Sequence, residues 1–87
     1  VNVFIIVGDN MEETKIYKKE EFDTELVLEA LKKTIQILEE RGYQATNQIV
    51  GYLMSGDPGY ITSYKGARSL ITSFDRSKIL EILLKNI

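Results

Sequence analysis

The chain opens on an apolar, β-branched run, Val1, Val3, Phe4, Ile5, Ile6 and Val7, closed by Gly8-Asp9-Asn10. This is the text of a β-strand or an adhesive tail. It is far shorter than the roughly 20 residues a membrane span needs. It also lacks the basic flank and small-residue cleavage site of a signal peptide. From Met11 to Phe22 the residues turn polar and charged with no sustained period, which predicts a mobile arm. Residues 1–22 therefore read as an N-terminal arm and 23–87 as the folded part. Because Met11 stands shortly downstream of Val1, residues 1–10 also read as an extension that is not native.

The helical period starts after the arm. Asp23 or Thr24 supplies a cap oxygen, Glu25 suits the first turn, and Phe22 with Val27 is placed for a hydrophobic staple. Val27, Leu28, Leu31, Ile35 and Leu38 recur at spacings of three and four, one apolar stripe. Leu26, Ala30 and Ile37 widen it, which predicts contact on more than one side. Glu29 is placed to pair with Lys33, and Gly42 to stop the helix. A second helix is expected from a Thr46 cap through Ile49, Val50, Leu53 and Met54 to Gly56. Asp57-Pro58 then starts a short turn. A third runs from about Tyr64 to Phe74, weakened by Gly66, and Asp75 caps a last helix that is apolar almost all round and so must be buried in this fold or in a partner. The fold class is all-α: a bundle of four to five short helices with a flexible arm.

Composition narrows the functions. Eighty-seven residues make one domain with a thin core, and 11 basic against 13 acidic residues leave a net charge of −2. Such a charge gives no general pull towards nucleic acid or anionic lipid. There is no Cys and no His, so disulfides, zinc ribbons, thiolate nucleophiles and His-dependent catalysis fall away. The missing disulfides fit a reducing cytoplasm, and a thin core without staples points to self-association. No cofactor and no metal site is expected. Charge is unevenly divided, net −4 up to Ala45 and +2 from Thr46, a hint of contact between an acidic arm and a basic helical body.

Candidate chemistry is sparse. Glu12, Glu13, Glu20, Glu21, Asp23 and Glu25 cluster without the spacing of a cation loop and read as a solvated charge run. Ser55-Gly56-Asp57-Pro58-Gly59 lacks the text of a phosphate loop or a nucleophile elbow and reads as a helix-to-helix turn. Tyr43, Tyr52, Tyr60 and Tyr64 near Lys65 and Arg68 suit either base stacking or small-core packing with the hydroxyl at the edge. A small helical nucleic-acid-binding dimer is the alternative this leaves open, though only Lys65 and Arg68 lie early in the would-be reading helix. A carboxylate- and Tyr-based enzyme is another, and it needs a cleft gathering at least two of those groups. Thr14 differs: an accessible hydroxyl suits a kinase, whereas Thr34 inside a helix does not.

The run Asn47-Gln48-Ile49-Val50-Gly51-Tyr52-Leu53-Met54-Ser55-Gly56-Asp57-Pro58-Gly59-Tyr60-Ile61 closely resembles the signature of the IreB/ReoM family, small regulatory phosphoproteins of low-GC Gram-positive bacteria. The likeness continues through Ala67-Arg68-Ser69, Asp75-Arg76 and the Ile79–Leu84 run, and Glu13-Thr14 with Tyr17 is similar to the family's N-terminal acceptor motif. The resemblance implies an all-helical cytoplasmic homodimer that is not an enzyme. It implies Thr14 as acceptor for a Ser/Thr kinase with PASTA repeats, reset by a PP2C-type phosphatase. It further implies control of peptidoglycan synthesis and antibiotic tolerance, with a Clp protease adaptor or a cell-wall enzyme as partner, and no nucleic-acid binding or membrane insertion. By position, Asn47, Gln48, Tyr52, Ser55, Gly56, Asp57, Pro58, Tyr60, Arg68 and Arg76 are the signature or partner-binding residues. The chain departs from the pattern in places. Met11 replaces a second acceptor found in some members, and Gln44-Ala45 stands for Asn-Pro. Thr62-Ser63 stands for Pro-Arg, and Leu70-Ile71-Thr72-Ser73-Phe74 has lost basic residues.

Overall fold

The structure, a computed structural model, describes the backbone of residues 4–8 and 14–87, and side chains from Glu21 onward. Within the expected arm, Phe4–Gly8 (β1) and Thr14–Lys18 (β2) form an antiparallel hairpin with Phe4 opposite Lys18 and Gly8 opposite Thr14. The apolar run meets its expectation as a strand. The Thr, Ile and Tyr of β2 are good strand formers, and β1 supplies the ladder that the local text alone does not disclose. Met11, Glu12, Glu13 and the Thr14 side chain lie outside the described residues.

β2 passes directly into the first helix, α1 (Lys19–Glu40). This corrects the expected start at Asp23 or Thr24, and with it the cap and staple built on that start. Lys19, Glu20 and Glu21 are good helix formers, and the two acids suit the positive end of the helix dipole. The helix is 22 residues long. Its end follows expectation: Gly42 adopts φ +80°, and Tyr43 N–H donates to Leu38 O at 3.0 Å while Gly42 N–H donates to Glu39 O at 3.0 Å. These two bonds define a Schellman stop. Glu29 pairs with Lys32 at 3.6 Å, one residue short of the expected Lys33.

α2 (Ala45–Ser55) follows. It begins one residue before the expected Thr46 cap, with Gln44 in the cap position and no side-chain cap bond. After it come a 3₁₀ turn, Pro58–Tyr60, and a second, Tyr64–Gly66. The helix expected from Tyr64 to Phe74 is thereby divided. Lys65 (φ +52°) and Gly66 (φ +75°) are both left-handed, so the regular helix α3 covers only Ala67–Thr72. α4 (Arg76–Lys85) has Asp75 in its cap position, again without a side-chain bond.

α1 is the spine, with α2, α3 and α4 packed along it. Val27, Leu31 and Leu38 of α1 meet Ile49 and Tyr52 of α2, Ile61, Ile71 of α3, and Ile79 and Ile82 of α4 in one core. Each such side chain stabilises the fold by about 1.5–3 kcal/mol when fully buried. Thr34 is fully buried, and its hydroxyl donates to Ala30 O at 2.8 Å, which agrees with its exclusion as an accessible hydroxyl. The body is all-α, and no described helix is long and apolar enough to cross a membrane.

Candidate functional site

Most of the signature residues meet at one corner, where α2 ends and the chain turns towards α3. Gly56 closes α2 in the left-handed region (φ +76°), its N–H donating to Tyr52 O at 2.7 Å. Ser55 Oγ donates to Gly51 O at 2.7 Å and accepts from Asp57 N–H at 3.0 Å. Asp57 Oδ1 accepts from Gly59 N–H at 2.8 Å, which caps the 3₁₀ turn opened by Pro58. Helix stop, turn start and fixed proline φ therefore follow from four adjacent residues, as the turn reading of this segment predicted.

Three longer side chains tie the corner down. Gln48 Nε2 donates to Tyr60 O at 2.9 Å. Arg68 Nε donates to both Pro58 O (3.1 Å) and Ile61 O (2.9 Å). Arg76 Nη1 donates to Leu53 O at 3.1 Å, satisfying a carbonyl at the open end of α2. The Arg76 guanidinium lies so close to Gly56 that a Cβ there would stand 2.8 Å from it. The Tyr60 ring lies over Gly51 in the same manner. Tyr52 is buried, 5% exposed, and belongs to the core rather than to any surface. Asn47 stands apart, its Nδ2 donating to Gln44 Oε1.

The other tyrosines depart from the expectation of buried rings: Tyr43, Tyr60 and Tyr64 are each more than a third exposed. Arg41 stacks over the Tyr64 ring at 4.5 Å. Lys65 reaches Glu40 at 3.1 Å, and that hydrogen bond, with the carboxylate's charge, holds its amine above the ordinary value. Of the two cations on which the nucleic-acid alternative relied, Lys65 is paired with Glu40 and Arg68 Nε is held by backbone carbonyls.

Carboxylates meet in a cleft where Glu21 and Glu25 of α1 face Glu81, Lys78 and Lys85 of α4 across about 430 Å³, and Asp23 and Asp75 share a smaller one of about 260 Å³. Lys85 donates to Glu81 at 2.8 Å, and this bond, with the charges of Lys78 and Lys85, lowers the carboxyl's pKa. A general acid needs a shift in the opposite direction. No set of acidic side chains among the described residues is grouped to hold a metal ion.

A second feature was not among the sequence candidates. Leu28, Leu31 and Ile35 of α1, Ile49, Val50 and Leu53 of α2 and Leu83 of α4 line an apolar groove of about 390 Å³. On the same two helices, α2 and α4, Met54, Leu80 and Leu84 are exposed, Met54 by 83%. The signal was present in the over-wide stripe of α1 and the all-round apolar text of α4. Ile79 and Ile82 take the inner side of α4, leaving Leu80, Leu83 and Leu84 outward. The Thr14 backbone pairs with Gly8 at the end of the hairpin. Compared with known families, residues 12–87 match the one described as IreB regulatory phosphoprotein.

Proposed function

The chain belongs to the IreB family of regulatory phosphoproteins, and we propose that it works as a cytoplasmic, non-enzymatic switch set by phosphate on Thr14. A PASTA-type Ser/Thr kinase adds the phosphoryl group and a PP2C-type phosphatase removes it. The readout is protein contact that tunes peptidoglycan synthesis and antibiotic tolerance, through Clp-dependent proteolysis of a cell-wall enzyme. The observation that carries this reading is the family match, which begins at residue 12 and so takes in Thr14. Phosphate there adds about −1.5 to −2 charges to an acidic N-terminal segment, changing how that segment sits against a body of net +2 from Thr46 onward.

The working unit is a homodimer closed over the apolar groove. Leu83 forms a wall of the groove while its neighbours Leu80 and Leu84 project beside it. The same helix thus supplies both a groove and the side chains to fill one, the self-complementarity a two-fold contact requires. The phosphorylation test is direct. Incubation with a PASTA-type kinase and ATP, followed by peptide mass spectrometry, is expected to place phosphate on Thr14. Modification confined to Ser or Thr positions within α1–α4 overturns the reading.

A further inference from the structure

A kinase needs the acceptor hydroxyl in line with the γ-phosphoryl group, with the flanking main chain laid out in its cleft. The hairpin sets a condition on that. Thr14 is the first residue of β2, and all five residues of β2 are paired, from Gly8↔Thr14 to Phe4↔Lys18. One edge of the acceptor strand is therefore covered by β1. Both strands also lie close to α1, into which β2 passes without a loop. While the ladder is closed, the N–H and C=O groups on that edge are bonded to β1, and the strand is not an isolated extended peptide.

We propose that β1 shields Thr14, so that the kinase acts only on chains in which β1 has let go of β2. This rests on Thr14 being the acceptor and on Phe4–Gly8 belonging to the working chain as a strand rather than as an extension. In the open chain the γ-phosphorus–oxygen bond of ATP breaks, a bond to the Thr14 hydroxyl oxygen forms, the hydroxyl proton passes to the kinase's catalytic carboxylate, and ADP leaves. A two-stranded hairpin is marginally stable by itself, so the open fraction is appreciable, and the apparent phosphorylation rate scales with it. The strand sequence and its pairing thereby set how readily the switch is thrown.

Neighbouring residues of an antiparallel strand direct their N–H groups to opposite sides. Of Ile5 and Ile6, which face Tyr17 and Ile16, one donates into the ladder and the other towards the open edge. Proline at the first position removes a ladder bond, and at the second it is better tolerated. The test measures Thr14 phosphorylation by a PASTA-type kinase domain in full-length wild type, Ile5→Pro and Ile6→Pro. Amide hydrogen exchange of residues 15–17 is followed in the same samples. The expected result is that rate rises with exchange, the more open variant reacting about three- to tenfold faster than wild type. Equal Thr14 rates in chains whose exchange differs overturn the shield and leave the acceptor reading standing. Phosphate absent from Thr14 in every chain overturns both.

Discussion

Gly51 and Tyr60 give a test in which the sign of an effect, rather than its size, is at stake. In a helix interior Ala is favoured over Gly by about 1 kcal/mol. At Gly51, however, a Cβ would collide with the Tyr60 ring, and moving that ring disturbs the turn held by the Gln48 bond to Tyr60 O. Overpacking of this kind costs about 1–3 kcal/mol. Gly51→Ala is therefore expected to destabilise the wild type and to stabilise a Tyr60→Ala background, by about 1 kcal/mol in the latter. A urea-denaturation double-mutant cycle reads both signs. Arg68 makes a second residue-scale case. Its Nε is held between Pro58 O and Ile61 O, a fork that an ammonium on a flexible stem does not reproduce. Arg68→Lys is expected to cost about 1–2 kcal/mol, close to the loss in Arg68→Ala, in the same denaturation assay.

At the scale of the elements, the sequence was informative wherever a local residue sufficed to stop or start the chain. Gly42, Gly56 and the Asp57-Pro58 pair all appear in the roles their chemistry predicts. It was less informative where tertiary contacts chose the boundary. α1 begins at Lys19 because β2 leads into it, and the third helix is cut at Lys65, a residue whose type gives no warning of a positive φ. The Glu40 ion pair and the neighbouring Arg41–Tyr64 stack hold that turn against the end of α1. The signature corner was legible as a turn, but the carbonyl-binding roles of Arg68 and Arg76 depend on contacts 10 and 23 residues away, which no local pattern encodes. α4 carries a pH signature of its own. The Glu81 carboxyl is lowered by its bond to Lys85 and the charges of Lys78 and Lys85. Its contribution is therefore present above the unfolded carboxylate value and is lost as pH falls through the lower folded value. The Tm difference between wild type and Glu81→Gln is expected to shrink as pH falls from about 7 to about 3. Molar salt at neutral pH is expected to shrink it as well, because the pair is exposed.

For the molecule as a whole, the decisive quantity is how much apolar surface is left over once the core is made. Val27, Leu38, Ile61, Ile71 and Ile79 are almost completely buried, so the interior is well filled although small. Yet Val50 (50% exposed), Leu80 (44%), Leu83 (39%) and Leu84 (70%) stand on the other side of α2 and α4. Among the described residues nothing covers these side chains, and an apolar patch of this kind marks a contact surface. If a second copy covers them, Leu83→Lys places a charge in the groove wall without touching the inward residues Ile79 and Ile82. That variant is expected to sediment as a monomer at concentrations where wild type is a dimer. It is expected to keep its helical circular dichroism, because the inner face of α4 is unchanged. Lys33→Ala, on the exposed side of α1 and outside the groove lining, serves as the control and is expected to leave the dimer intact. A wild-type chain that sediments as a monomer throughout the high-micromolar range overturns the dimer. Loss of helical signal in Leu83→Lys instead assigns Leu83 to the core of the single chain. In the expected case, folding and association separate cleanly: α1 with the inner faces of α2, α3 and α4 specifies the fold, and the outer faces of α2 and α4 specify the partner.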